Sequence, residues 1–164
     1  MYKVILLKFN EKIIIGDDVM ILKRLNGIRE EYDLSQKGVA DILEVTQQTY
    51  SRWETEEKII PIKHLNKFCN HFKVSIDYVT GLTNIRSYKN SKDKIVKSVV
   101  GKRLKEFRIN NNLTQQQLAD ELNTSHSTIS AYENGKTLLL LAFAYEIATK
   151  YKISIDYLYG RTDK

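Results

Sequence analysis

From residue 18 onward, apolar residues recur at steps of three and four, the spacing of one helix face, and polar turn formers interrupt them at short intervals. Ile62, Leu65, Phe68, Cys69 and Phe72 form the cleanest such stripe. The pattern predicts short helices over residues 18–32, 35–43, 47–54, 62–72 and 75–80, with Ser75 as a cap and Gly81 as a stop. Residues 113–136, LTQQQLADELNTSHSTISAYENGK, predict two short helices meeting at a sharp turn. Thr114 can cap the first of these, with Gln117 completing a capping box. Ala119 is small, as a close helix crossing requires. Asn123 suits the left-handed turn, and Ser125 caps the second helix. That helix turns Ile129 and Tyr132 inward and leaves His126, Ser127, Ser130 and Ala131 outward. Such a small polar edge can enter a DNA major groove, whereas a solvated helix face more often carries Glu and Lys. Before residue 17 the pattern changes. The β-branched and apolar runs 4–7 and 13–15 predict a short hairpin turning at Asn10 and Glu11, either a flap on its own domain or a strand exchanged with another subunit.

Subtracting 79 from the numbers of the second half lands on matching residues in the first without a gap. Arg103 falls on Arg24, Arg108 on Arg29, Ala119 on Ala40, and Glu133 on Glu54; KISIDYLYGRT at 152–162 matches KVSIDYVTGLT at 73–83. Repetition on this scale means two copies of one domain. The expected organisation is an arm at 1–16, a first five-helix domain at 17–84, a basic linker at 85–97 and a second five-helix domain at 98–164. Fully stretched, the 14 residues 84–97 reach at most about 46 Å, enough for the roughly 34 Å between adjacent half-sites on one DNA face. The other reading of the linker is a solvated tether that touches nothing.

The 164 residues carry 26 basic and 20 acidic side chains, net +6, a balance that admits an anionic partner without requiring one. The charge is uneven: the first domain is net −2, the second +2, the linker +4 and the arm +2. Phosphate attraction should therefore come mostly from the second copy and the linker. Cys69 is the only cysteine, so no internal disulfide is expected. No membrane-length apolar run or signal-peptide core is present, and the expected compartment is the cytoplasm.

LTQQQLADEL with STISAYENGK, and LSQKGVADIL with TQQTYSRWET, resemble the Xre/Cro-type helix-turn-helix family, which includes the lambdoid phage repressors. The resemblance covers about four fifths of the chain and implies an all-α fold of two tandem five-helix domains, each with a third helix that enters the major groove. By position, Gln36 and Gln115 look like the family's phosphate-contacting glutamine. Gln47, Gln48, Ser51 and Arg52 in the first copy, and His126, Ser127 and Ser130 in the second, fall where the family reads bases. Asn134 and Lys136 fall where a backbone phosphate would sit. Arg29 with Glu54, and Arg108 with Glu133, correspond to an ion pair that ties the first helix to the third.

The departures from that pattern are informative. Glu44 stands where the family usually has a glycine in a left-handed turn, and Thr55, Glu56 and Glu57 replace Asn134, Gly135 and Lys136. The segment 138–145 is apolar on every side, so Leu140, Phe143 and Tyr145 are expected either to form a protein contact or to pack into an ordinary core. No catalytic constellation, metal cage or cofactor loop is legible; His64, Cys69 and His71 lack the paired spacing of a zinc site. The resulting expectation is a regulator that binds double-stranded DNA, a repressor, with a homodimer as one possible assembly and no cofactor, membrane or small-molecule partner. The rival is a protein-binding, antitoxin-like module in which the acidic first copy has given up DNA.

Overall fold

The computed structural model describes residues 14–15, 18–19, 22 and 24–163. Strands β1 (Ile14–Ile15) and β2 (Asp18–Val19) pair antiparallel, Ile14 opposite Val19 and Ile15 opposite Asp18. The expected hairpin partner at 4–7 lies outside the described residues. Beyond this short ladder the described chain is helical. The first copy contributes α1 (Arg24–Glu31), α2 (Gln36–Leu43), α3 (Gln47–Glu54), α4 (Ile62–Phe72) and α5 (Ile76–Val79). The second contributes α6 (Lys97–Asn110), α7 (Gln115–Glu121), α8 (His126–Glu133), α9 (Leu141–Tyr151) and α10 (Ile155–Leu158).

The helix starts follow side-chain chemistry. Ser35, Thr46, Ser75, Ser125 and Ser154 each accept a hydrogen bond from the backbone N–H three residues on, and Thr114 and Gln117 form the full capping box. Both sharp turns before the third helix use a left-handed residue, Glu44 at φ +59° and Asn123 at φ +48°. Glu44 adopts the conformation although it is not glycine, and its carboxylate meets Lys67 Nζ at 2.9 Å. Ala40 and Ala119 are fully buried where the second and third helices cross, and Leu65, Phe68 and Phe72 bury the stripe of α4. Each such large side chain stabilises the core by about 1.5–3 kcal/mol.

The repeat is reproduced in three dimensions. Arg24 Nη1 donates to the carbonyls of Tyr78 and Thr83 while its guanidinium covers the Tyr78 ring; Arg103 does the same with Tyr157 and Thr162.

The first helix departs from expectation. A helix over 18–32 is what the register implies, and α6 does start at Lys97, the counterpart of residue 18; α1 starts only at Arg24. Gly101 and Gly135 supply the physical reason. A Cβ on Gly101 would stand 2.5 Å from the Tyr132 carbonyl oxygen and 2.6 Å from that of Glu133, and one on Gly135 would press on Lys97 and Ser98. The first copy has Leu22 and Glu56 at these positions. Neither residue could take part in so close an approach as the glycines make, and the chain is extended at Asp18–Val19 instead.

The linker is not a tether that touches nothing, because it is a strap folded against the two copies. Arg86 O accepts from Ser75 N at 2.7 Å, Tyr88 Oη donates to Asp77 Oδ2 at 2.8 Å, and Asn66 and Asn70 both donate to the Asp93 carbonyl at 2.8 Å. At its far end Lys92 N donates to Arg161 O at 2.7 Å. Beside the strap, α5 and α10 pack on one another. Asp77 accepts from Ile155 N (2.6 Å) and Ser154 Oγ (2.5 Å) at the start of α10, while Asp156 accepts from Asp77 N (2.8 Å) at the start of α5. Arg161 Nε donates to Asp156 Oδ1 at 2.8 Å, and its Nη1 reaches Asn66 and Asn70 of α4.

Candidate nucleic-acid interface

Each third helix is locked to its scaffold by a clasp of three side chains. In the first copy Arg29 Nε donates to Glu54 Oε1 at 2.7 Å, Arg29 Nη1 to Leu34 O at 2.8 Å, and Gln36 Nε2 to Glu54 Oε2 at 2.9 Å. In the second, Arg108 Nε donates to Glu133 Oε1 at 2.5 Å, Arg108 Nη2 to Glu133 Oε2 at 2.9 Å, Nη1 to Leu113 O at 2.8 Å, and Gln115 Nε2 to Glu133 Oε2 at 2.7 Å. Both carboxylates are nearly shielded, Glu54 at 5% and Glu133 at 2% side-chain exposure. Burial pushes the Glu54 carboxyl up, but the hydrogen bonds from Arg29 and Gln36 outweigh it and hold the group below its usual range. The Glu54 hydrogen bond raises the Arg29 guanidinium, as the Glu133 bond raises Arg108. The Glu54 carboxylate and both guanidiniums are therefore held in their charged forms.

The two glutamines are pinned by this clasp. The side-chain amide expected to reach a phosphate donates instead to the buried glutamate, and each glutamine remains half-buried at the first turn of its helix. The start of that helix still offers backbone N–H groups, which suit an anion.

Gln47 and Gln48 are exposed on α3, with Ser51 and Arg52 half-buried beside them. These four, with Gln36, Thr46 and Glu57, line one open concavity. Arg52 Nε lies 3.5 Å from Glu57 Oε1, so the guanidinium suited to a guanine already faces an acid of its own chain. Thr46 was not singled out from sequence, although the offset of 79 sets it on Ser125, the cap of the equivalent helix. On α8, His126 and Ser127 are exposed and Ser130 is half-buried. Ser127 Oγ lies 2.8 Å from the capping Ser125 Oγ. Asn134 is exposed, but its side-chain amide donates to Ser130 O at 2.8 Å; Lys136 is exposed one residue beyond the left-handed Gly135.

Of the apolar segment, Leu138–Leu140 precede the helix and α9 begins at Leu141. Phe143 is buried against Tyr132 of its own copy, ring centroids 6.2 Å apart, and Tyr145 is half-buried. Leu140 is the outward member, 52% exposed. Cys69 is buried, and burial pushes its thiol well up, away from reactivity. Among the described residues no helix is long and apolar enough to cross a membrane.

Two pairs of helices, each crossing at a small buried residue and pinned by the same clasp, are thus built alike. The helix-turn-helix family matches twice, over residues 27–79 and 104–158. The chain belongs to this helix-turn-helix family, of the Xre/Cro type. It is also 30% identical over 65 residues to a protein of Bacillus subtilis (strain 168) named an uncharacterized HTH-type transcriptional regulator, YobD. The matched stretch covers 40% of this chain and 58% of that relative.

Proposed function

We propose that this helix-turn-helix protein is a sequence-specific transcriptional regulator of double-stranded DNA that inserts α3 and α8 into the major groove. The observation that carries the reading is the duplicated clasp. It fixes the third helix of each copy against its scaffold while the polar edge stays open to solvent. In the first copy, Gln47 and Gln48 suit adenine and Arg52 suits guanine, each good bidentate pair worth about 1–3 kcal/mol of discrimination. In the second, His126, Ser127 and Ser130 offer smaller donors and acceptors, so this copy discriminates less and leans on phosphate contacts at Asn134 and Lys136. The pinned amides of Gln36 and Gln115 orient the clasp, and the helix starts beside them take the phosphates. Repression follows from occupancy: a protein seated over a promoter element excludes the polymerase without any further activity.

Selection of bound duplexes from a random pool tests this reading. The expected result is a site with two unlike elements, one of which loses its sequence preference when Gln47 and Gln48 are both changed to Ala. Unaltered specificity in that variant would remove the first copy from DNA reading and favour a protein as its partner.

A further inference from the structure

The strongest feature that DNA reading alone leaves unused is the buried polar seam between the copies. Asp77, Asp156 and Arg161 are 2%, 0% and 2% exposed, respectively, so this is sealed structure and not a surface contact. Asp77 and Asp156 are counterparts under the offset of 79, and each accepts hydrogen bonds at the first turn of the other copy's last helix. Such reciprocity is the mark of an approximate two-fold arrangement. The seam is nevertheless specific to its two sides. Arg161 of the second copy reaches Asn70 and Asn66 of the first, whereas its own counterpart is Leu82, which has no charge to return. The strap closes the same seam from outside, through Tyr88 on Asp77 and Asp93 on Asn66 and Asn70. Gln47, Gln48, His126 and Ser127 all remain exposed, so the seam uses none of the reading edges.

We propose that this seam makes one chain a ready-assembled pair of readers, which binds a single duplex carrying two unlike half-sites at one fixed spacing, without a second chain. The inference rests on the major-groove reading above. In paired readers, operator symmetry and half-site spacing mirror the protein's own geometry. Here the pair is covalent and its halves differ, so the operator is an imperfect palindrome with one preferred orientation. Rigid linkage also raises the effective concentration of the second reader once the first has docked. Asp77, Asp156 and Arg161 are thereby positioning residues for spacing, without touching DNA.

The test is a spacing series with the unmodified chain. The selected two-element duplex is lengthened between its elements by 1 to 10 base pairs, and affinity and stoichiometry are measured. The expected outcome is one chain per duplex, with a loss of about 100-fold at 5 base pairs that is not recovered at 10, because a fixed seam sets distance as well as rotation. Recovery at 10 base pairs, or indifference to spacing, would overturn the seam and leave major-groove reading intact. Two chains per duplex would overturn it as well. A selected site with only one element would instead sink the reading on which it rests. Arg161→Leu, which installs the first copy's residue, is expected to lose the spacing preference while keeping contact with each element. Should that variant not fold, Asn70→Ala, which removes an acceptor of Arg161 at the edge of the seam, is expected to shift the same series in the same direction.

Discussion

The two copies keep one scaffold and have diverged around it, and the pattern of divergence separates what the fold needs from what it tolerates. The clasp is retained on both sides down to the same three residue types. Around it, Gly101 and Gly135 in the second copy let α6 run 14 residues beneath the end of α8, while Leu22 and Glu56 leave α1 with 8. The clasps themselves differ in strength. Arg108 Nη2 donates to Glu133 Oε2 at 2.9 Å, whereas the matching bond from Arg29 Nη2 to Glu54 Oε2 is long, at 3.4 Å, and shares its donor with Asn26 Oδ1. The second copy is therefore the more tightly gripped scaffold, and under the proposed reading the first carries the more discriminating side chains.

Breaking the clasps gives the largest expected effect. Glu133→Ala strands a half-buried guanidinium and is expected to cost about 3–5 kcal/mol in urea unfolding. Glu54→Ala is expected to cost about 1 kcal/mol less, because Arg29 keeps a bond to Asn26 for which Arg108 has no counterpart. Equal losses would refute the ranking of the two scaffolds. Next comes Gly101→Ala. Its new methyl would meet backbone carbonyls that cannot swing aside, so a loss of about 1–3 kcal/mol and fraying of the start of α6 in hydrogen exchange are expected.

A smaller, pH-dependent contrast sits at Glu146, whose counterpart is Lys67. Burial raises the Glu146 carboxyl from 4.5 to about 7, with Lys150 pulling it down and Glu121 pushing it up. The folded chain thus holds this proton more tightly than the unfolded one, and the group's contribution to stability falls as pH rises from about 4.5 to 7 and stays low above. Glu146→Gln is expected to raise Tm by a few degrees at pH 8 and to leave it unchanged at pH 4. The smallest effect concerns DNA. Glu57→Gln frees Arg52 from an exposed acid and should strengthen binding by roughly two- to fivefold, the scale of an exposed ion pair. Lys136→Gln should weaken binding and reduce the salt slope by about one.

Much of this was legible in the sequence because it is local. The bounds of α3 and α4, the serine and threonine caps and the left-handed Glu44 and Asn123 all follow from neighbours a few residues away. The offset of 79 carried the clasp from one copy to the other. The same offset misled at α1, where it transfers the pattern but not the two glycines that make room for it. The seam was not legible at all. Asp77 and Asp156 look like ordinary acids in the first turn of their own helices, and nothing local reveals that each serves the other. The strap escaped for the same reason, since a basic, polar stretch resembles a tether until Asn66, Asn70 and Asp77 are found against it. Pinning of the Gln36 and Gln115 amides likewise depends on a carboxylate 18 residues away.

Protection of guanine N7 from methylation along a selected operator probes the major groove itself and so bears most directly on two readers in one chain. Two separate protected patches are predicted, one of them abolished by Arg52→Ala and the other unaffected by it. A single patch, or protection that ignores Arg52, would contradict the account.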